Sequence, residues 1–265
     1  MKRKLYLAIG CLFAAVFVFS SVMLFTTLNK YRQADAVYSD LQNRYVVPVS
    51  HKSEQFEDDE KDEILREYAP ISVNFEDLLK ENGDIVGWLY SENTPIDYPV
   101  VQAENNEKYL RRDLNGNYII SGTIFVDFRC PQVATGQNYI IYGHNMRGTT
   151  MFSSLAKYKD PSYYDEHPVL YYLTPNGDYK IELFAGMVTA ADSEVYTPDF
   201  GSKEAFKVFL KDIRDKSTFY SDVAVTEEDN IITLSTCSYE FGNARYAVFG
   251  KLTDLSDSAI NAENN

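Results

Sequence analysis

Cysteine, tryptophan, histidine and positive charge are all scarce in this sequence. Among 265 residues there are three cysteines, three histidines and one tryptophan, and 25 lysines and arginines stand against 39 acidic residues. The formal charge of −14 argues against nucleic acid as a partner, because phosphate contacts need clustered cations and none occur beyond the first four residues. No C-x-x-C is present, and His51, His144 and His167 lack ligand spacing such as H-x-x-x-H, so neither a metal site nor a cofactor is expected. The lone tryptophan contrasts with 21 tyrosines and 16 phenylalanines, a supply that suits the half-buried faces of β-strands. The length is enough for one main domain with a sizeable core.

One long apolar run opens the chain. From Leu5 to Leu28 no charge occurs for 24 residues, about the length needed to cross a hydrocarbon layer of ~30 Å at ~1.5 Å per residue. Lys2, Arg3 and Lys4 precede it, which predicts a cytoplasmic N-terminus and an extracellular remainder. The run exceeds the usual h-region of a cleaved leader and no A-x-A site closes it, so an uncleaved single-pass anchor is expected. Export makes an unpaired thiol unusual. Cys11 falls in the span, which leaves Cys130 and Cys237 as either a disulfide or free thiols.

Four segments follow from composition: a cytoplasmic tip and transmembrane anchor at 1–29, an extracellular stalk and linker with N-terminal helices at 30–73, a β-rich domain at 74–255, and a disordered tail at 256–265. Residues 30–47 are polar with no breaker before Pro48 and read as a helical stalk; 51–63 are strongly charged and read as a solvated linker. Asn74 caps a short helix through 81 that Asn82-Gly83 stops. Eight β-prone runs then appear at 85–90, 96–101, 118–128, 138–142, 168–173, 178–190, 231–236 and 245–252, with turn signals such as Asn115-Gly116 and Asn176-Gly177 between them. Their number and spacing predict a mainly β fold, a closed or nearly closed eight-stranded barrel. One amphipathic helix, 202–216, interrupts the late strands behind a Ser cap, with Phe206, Phe209, Leu210 and Ile213 on one face.

Three residues with chemical potential stand at strand ends. Cys237 closes the run IITLST, His144 follows the run NYIIY after Gly143, and Arg245 opens the strand after the Cys237 loop. A cysteine nucleophile acts as the thiolate and needs a proton partner or positive charge nearby, and these two side chains could supply both. Taken singly, each has an ordinary explanation: an apolar thiol in a core, a turn histidine, a surface charge. Their shared position at strand ends, in an exported chain, is what favours chemistry.

The segment TLSTC, Thr233 to Cys237, followed eight residues later by Arg245, resembles the Thr-Leu-x-Thr-Cys signature of sortases with its downstream arginine. IVGWL, TPIDYPVVQ, NNEKYL, GTIFVDFR, NYIIYGHNM and TMFSSLAKY look like class B members in the same order, over residues 74–252. The helix at 202–216 falls where that class carries one between its sixth and seventh strands.

The resemblance implies a membrane-anchored cysteine transpeptidase. Cys237 would attack the carbonyl of a Thr in a C-terminal sorting signal of a secreted protein and form a thioester. His144 would serve as general acid and then base, and Arg245 would stabilise the oxyanion. The acceptor would be an amine of a peptidoglycan precursor, or of a pilin if the enzyme polymerises pili. Asn106, Ser235 and, by a looser match, Tyr196 would line the peptide groove. Cys130 is outside this pattern and reads as a bystander; a bond between it and Cys237 would contradict catalysis. Two other readings share the residues: a surface cysteine endopeptidase that gives its acyl group to water, and a non-catalytic binding module on the same barrel.

Overall fold

The computed structural model describes residues 2–49, 68–148 and 150–255. The charged linker at 51–63, His51 and the tail at 256–265 lie outside the described residues. The first helix, α1 (Lys2–Tyr45), is continuous from the apolar run into the polar segment. It is long and apolar enough to cross a membrane, and Phe13, Phe17, Phe19 and Phe25 are all exposed along its apolar run. An apolar helix surface on which no described residue packs is suited to lipid and costly in water. The second half is no free stalk: Ala34, Tyr38, Leu41 and Tyr45, at helical spacing, are buried and belong to the same core as the β domain. The periodic apolar positions that looked scattered in sequence form the face that docks.

Two short strands, β1 (Val46–Pro48) and β2 (Ile71–Val73), pair as a small antiparallel ribbon. Helix α2 (Phe75–Glu81) follows, its first turn closed by the Asn74 side chain accepting from the Asp77 amide. Eight further strands, β3 (Ile85–Tyr90), β4 (Asp97–Gln102), β5 (Ile124–Val126), β6 (Asn138–Tyr142), β7 (Val169–Thr174), β8 (Gly177–Ala190), β9 (Ile231–Cys237) and β10 (Ala244–Asp254), close a barrel in the order β10-β8-β7-β3-β4-β5-β6-β9. All eight expected runs supply a strand. The run at 118–128 supplies only three residues, because Gly122 adopts φ +56° and turns the backbone just before β5.

Two pairings in the barrel are parallel, β4 with β5 and β6 with β9. The β6/β9 pair decides the location of the site. Parallel neighbours end at the same rim, so the exits of β6 and β9 lie side by side, and the antiparallel β10 begins there. Strands wholly inside a barrel wall read as continuous apolar runs, and all of Ile231–Thr236 is buried. Helix α4 (Lys203–Asp215) lies between β8 and β9, the sixth and seventh strands of the barrel; its Ser202 cap accepts from Ala205 N, and Phe206, Phe209, Leu210 and Ile213 are its buried face.

A segment the periodicity did not reveal links β6 to β7: a 3-10 helix over Phe152–Lys159 and helix α3 (Pro161–Glu166). Asp160-Pro161, an acidic cap followed by proline at the first helical position, was the readable signal for α3.

Candidate active site

The rim formed by β6, β9 and β10 opens into a cleft of about 250 Å³ lined by all six residues singled out from the sequence: Cys237, His144, Arg245, Asn106, Ser235 and Tyr196. Cys237 is the last residue of β9, and its cross-strand partner on β10 is Arg245. Directly opposed positions put the two side chains on the same face of the sheet. All three cysteines are free; Cys237 is half-buried, whereas Cys130 is buried. Burial pushes the Cys130 thiol up to about 11, and its sulfur accepts from the Ile140 amide at 3.4 Å.

Gly143 makes the exit of β6 tight enough to bring His144 to this rim. A Cβ on Gly143 would stand 2.6 Å from the Phe152 ring, so only glycine permits the close approach. The turn is sewn to β9 by the Gly143 amide donating to Ser235 O at 3.1 Å and by Thr236 Oγ1 donating to Gly143 O at 2.8 Å. Next to His144, Asn145 donates to the Cys237 carbonyl at 2.8 Å, which ties the backbones of the two loops together. The His144 ring places Nε2 2.7 Å from the Leu110 carbonyl. A carbonyl only accepts, so Nε2 carries the proton and Nδ1 is the basic nitrogen of the neutral ring. Burial lowers the His144 pKa; the Leu110 carbonyl opposes this, and the positive charges of Arg111 and Arg245 add to the lowering. At neutral pH the imidazole is therefore mainly neutral and able to take a proton. Among the described residues no hydrogen bond joins His144 to Cys237.

Arg245 Nη1 donates to the carbonyls of Ala244 at 3.0 Å and Asn243 at 3.4 Å. No carboxylate pairs with it among the described residues, so its charge at the cleft is uncompensated. The loop between Cys237 and Arg245 is fixed instead through Lys159, which donates to Ser238 Oγ at 2.7 Å and pairs with Glu240.

The far wall is a polar network. Ser235 and Tyr196 share a hydrogen bond between their hydroxyls at 2.8 Å. Asn106 donates to Asp127 Oδ2 at 3.2 Å and accepts from the Phe128 amide at 3.0 Å. Asp127 is buried and receives the Arg129 side chain at both oxygens, 2.9 and 2.8 Å, and the Tyr142 hydroxyl at 2.9 Å. Arg129 in turn donates to Tyr196 O at 2.8 Å. Sequence reasoning passed over Asp127, Arg129 and Tyr142, although FVDFR lay inside a quoted motif; nothing local distinguishes a buried structural carboxylate from an exposed one.

Burial pushes Asp127 upward, but the hydrogen bonds from Arg129 and Tyr142 outweigh it and hold the carboxyl below its ordinary value. A carboxyl depressed in the folded state contributes stability above its unfolded pKa of ~3.9 and loses it as pH falls through the lower folded value. Asp127→Asn should therefore lower the melting temperature at neutral pH, and the gap from wild type should narrow as pH drops below about 4. A gap that stays constant down to pH 2 would mean that the carboxylate charge holds nothing together.

Three comparisons bear on this arrangement. Residues 89–253 match the family model described as the Sortase domain. The sortase B of Listeria monocytogenes is 36% identical over 203 residues, covering 74% of this chain and 82% of that protein. The sortase B of Staphylococcus aureus is 31% identical over 258 residues, covering 97% and 99% of the two chains. Among solved structures, the Staphylococcus aureus sortase B–substrate complex superposes with a TM-score of 0.65 at 35% identity, covering 68% of this chain and 84% of that one.

Proposed function

This chain belongs to the sortase family, in its class B branch, and is a cysteine transpeptidase; we propose that it cuts a C-terminal sorting signal after Thr and joins the protein to an amine of a peptidoglycan precursor. The observation that carries the reading is the convergence of a free half-buried thiol, a neutral imidazole and an uncompensated guanidinium on one open cleft. A solved relative is described as a sortase B–substrate complex, which supports a peptide in the equivalent groove.

The steps follow from the groups present. His144 takes the thiol proton, and the Cys237 thiolate attacks the Thr carbonyl carbon, moving an electron pair onto oxygen. Arg245, facing Cys237 across β9 and β10, donates to that oxyanion. As the C–N bond breaks, the imidazolium returns its proton to the departing amine and a thioester remains. The incoming amine attacks the thioester, His144 accepts its proton, and the sulfur leaves to regain it, so the enzyme emerges unchanged. Asn106, Ser235 and Tyr196 hold the signal along the far wall. Helix α1 fixes the enzyme in the membrane with its N-terminus inside, which keeps the cleft on the side where secreted substrates and wall precursors meet.

The experiment supplies the protein with Thr-containing peptides and an amine such as a short oligoglycine. An amide product, read by mass spectrometry and rising with amine concentration, is expected. Free acid that is insensitive to amine would identify a surface endopeptidase instead.

A further inference from the structure

Tyr38 of α1 stands at the start of two routes that both end on His144. Its hydroxyl donates to the Gly122 carbonyl and lies 3.2 Å from Thr123 Oγ1. Those two residues are pressed against the backbone that bears the histidine's partner. The Thr123 amide donates to Tyr109 O at 3.0 Å, and a Cβ on Gly122 would stand 2.5 Å from the carbonyl oxygens of both Tyr109 and Leu110. Leu110 O is the atom that receives His144 Nε2.

The second route runs through the ring. Tyr38 meets Tyr98 edge to face, with centroids 5.3 Å apart, and the Tyr98 hydroxyl accepts from the Met151 amide at 3.0 Å. Met151 has φ +55°, a costly conformation for a side chain of this kind, so it needs holding. It bridges to Asn145, and the adjacent Phe152 amide donates to the His144 carbonyl at 3.1 Å. One route thus fixes the imidazole through Leu110, and the other fixes the backbone that carries it.

We propose that Tyr38 is a positioning residue for His144, so that the helix which anchors the protein also orients its proton carrier. The Leu110 carbonyl takes the orienting place that a carboxylate fills in a Ser-His-Asp triad, and the docked half of α1 keeps that carbonyl in place. A main-chain carbonyl has no side-chain torsion of its own, so its direction depends on whatever braces the segment 109–123. This inference rests on His144 acting in proton transfer, as proposed above.

The test uses the full chain in detergent micelles or nanodiscs, with 13C-labelled histidine and the His144 signal assigned by its loss in His144→Gln. Tyr38→Phe keeps the ring against Tyr98 but removes the hydroxyl bonds. Burial lowers the histidine's proton affinity, the Leu110 carbonyl raises it, and Arg111 and Arg245 add to the lowering. Loosening Leu110 should move the His144 titration midpoint down by about 0.5 in pH. It should also cut kcat about tenfold, since displacing a reacting group by ~1 Å can cost ~100-fold, with KM changed less than about twofold. Thr123→Val, which removes the other hydroxyl together with its bond to Arg112 O at 2.8 Å, should shift the midpoint in the same direction and carries the test if Tyr38→Phe does not fold. Tyr45→Phe is the control: it removes a hydroxyl bond from the same helix to Glu81, 2.6 Å long, off both routes. It should lower the melting temperature and leave the titration alone. An unchanged midpoint in folded Tyr38→Phe, or in Thr123→Val where Tyr38→Phe does not fold, overturns the proposal, whatever happens to stability. A shifted midpoint in a protein that transfers nothing to amines leaves the positioning intact and removes the proposed reaction instead.

Discussion

Cys237→Ala is expected to abolish transfer, lowering kcat/KM by about 10⁴-fold or more, because losing a nucleophile in a covalent mechanism costs on that order. Alanine offers no atom to accept the acyl group, so the thioester cannot form and no acyl-enzyme mass should appear with peptide alone. Cys130→Ala is the matched comparison. Its thiol is buried and pushed up to about 11, and its sulfur hydrogen-bonds β6 backbone groups away from the cleft lining, so transfer should persist within about twofold. A mild alkylating reagent at neutral pH should modify Cys237 first for the same reason. Comparable transfer by wild type and Cys237→Ala would remove the thioester from the mechanism altogether.

Arg245→Ala is expected to lower kcat by about 10²- to 10³-fold, the usual loss when one oxyanion donor is removed. The structure explains why the effect should fall on kcat. Arg245 is opposite Cys237 in the ladder, and its guanidinium bonds only nearby main-chain carbonyls, with no acidic partner among the described residues. A cation held by an acid would have to break that pair before meeting an oxyanion; among the described residues this one has no such pair to break. Arg245→Lys should recover part of the rate, since the charge stays but the planar fork is lost. A rise in KM with kcat unchanged in Arg245→Ala would assign the residue to holding peptide in the ground state.

The parts of the site that depend on residue type were legible before any coordinates. The apolar runs at 85–90, 138–142 and 231–236 became β3, β6 and β9 within a residue, since alternating or fully apolar patterns report burial directly. Asn74 and Ser202 capped the helices expected of them, because a short polar side chain satisfies free amides locally. The shortfall at 118–128 has an equally local cause, the left-handed turn at Gly122, yet β-prone neighbours concealed it. The resemblance added Asn106, Ser235 and Tyr196, and all three line the cleft with the catalytic candidates.

What the amino-acid order determined by itself was a set of elements, their buried faces, an apolar helix long enough for a bilayer, and three chemically apt residues at strand ends. Only the closed tertiary structure decided that β6 and β9 run side by side in parallel, which brings His144 to the cleft of Cys237 and Arg245 across 93 residues of sequence. It also decided that the Leu110 carbonyl faces the imidazole and that the Tyr38 hydroxyl meets the Gly122 carbonyl. The physical reason is one of range. Side-chain pattern reports what each segment buries, whereas a carbonyl is common to every residue, and its neighbours are fixed only when distant strands come into register.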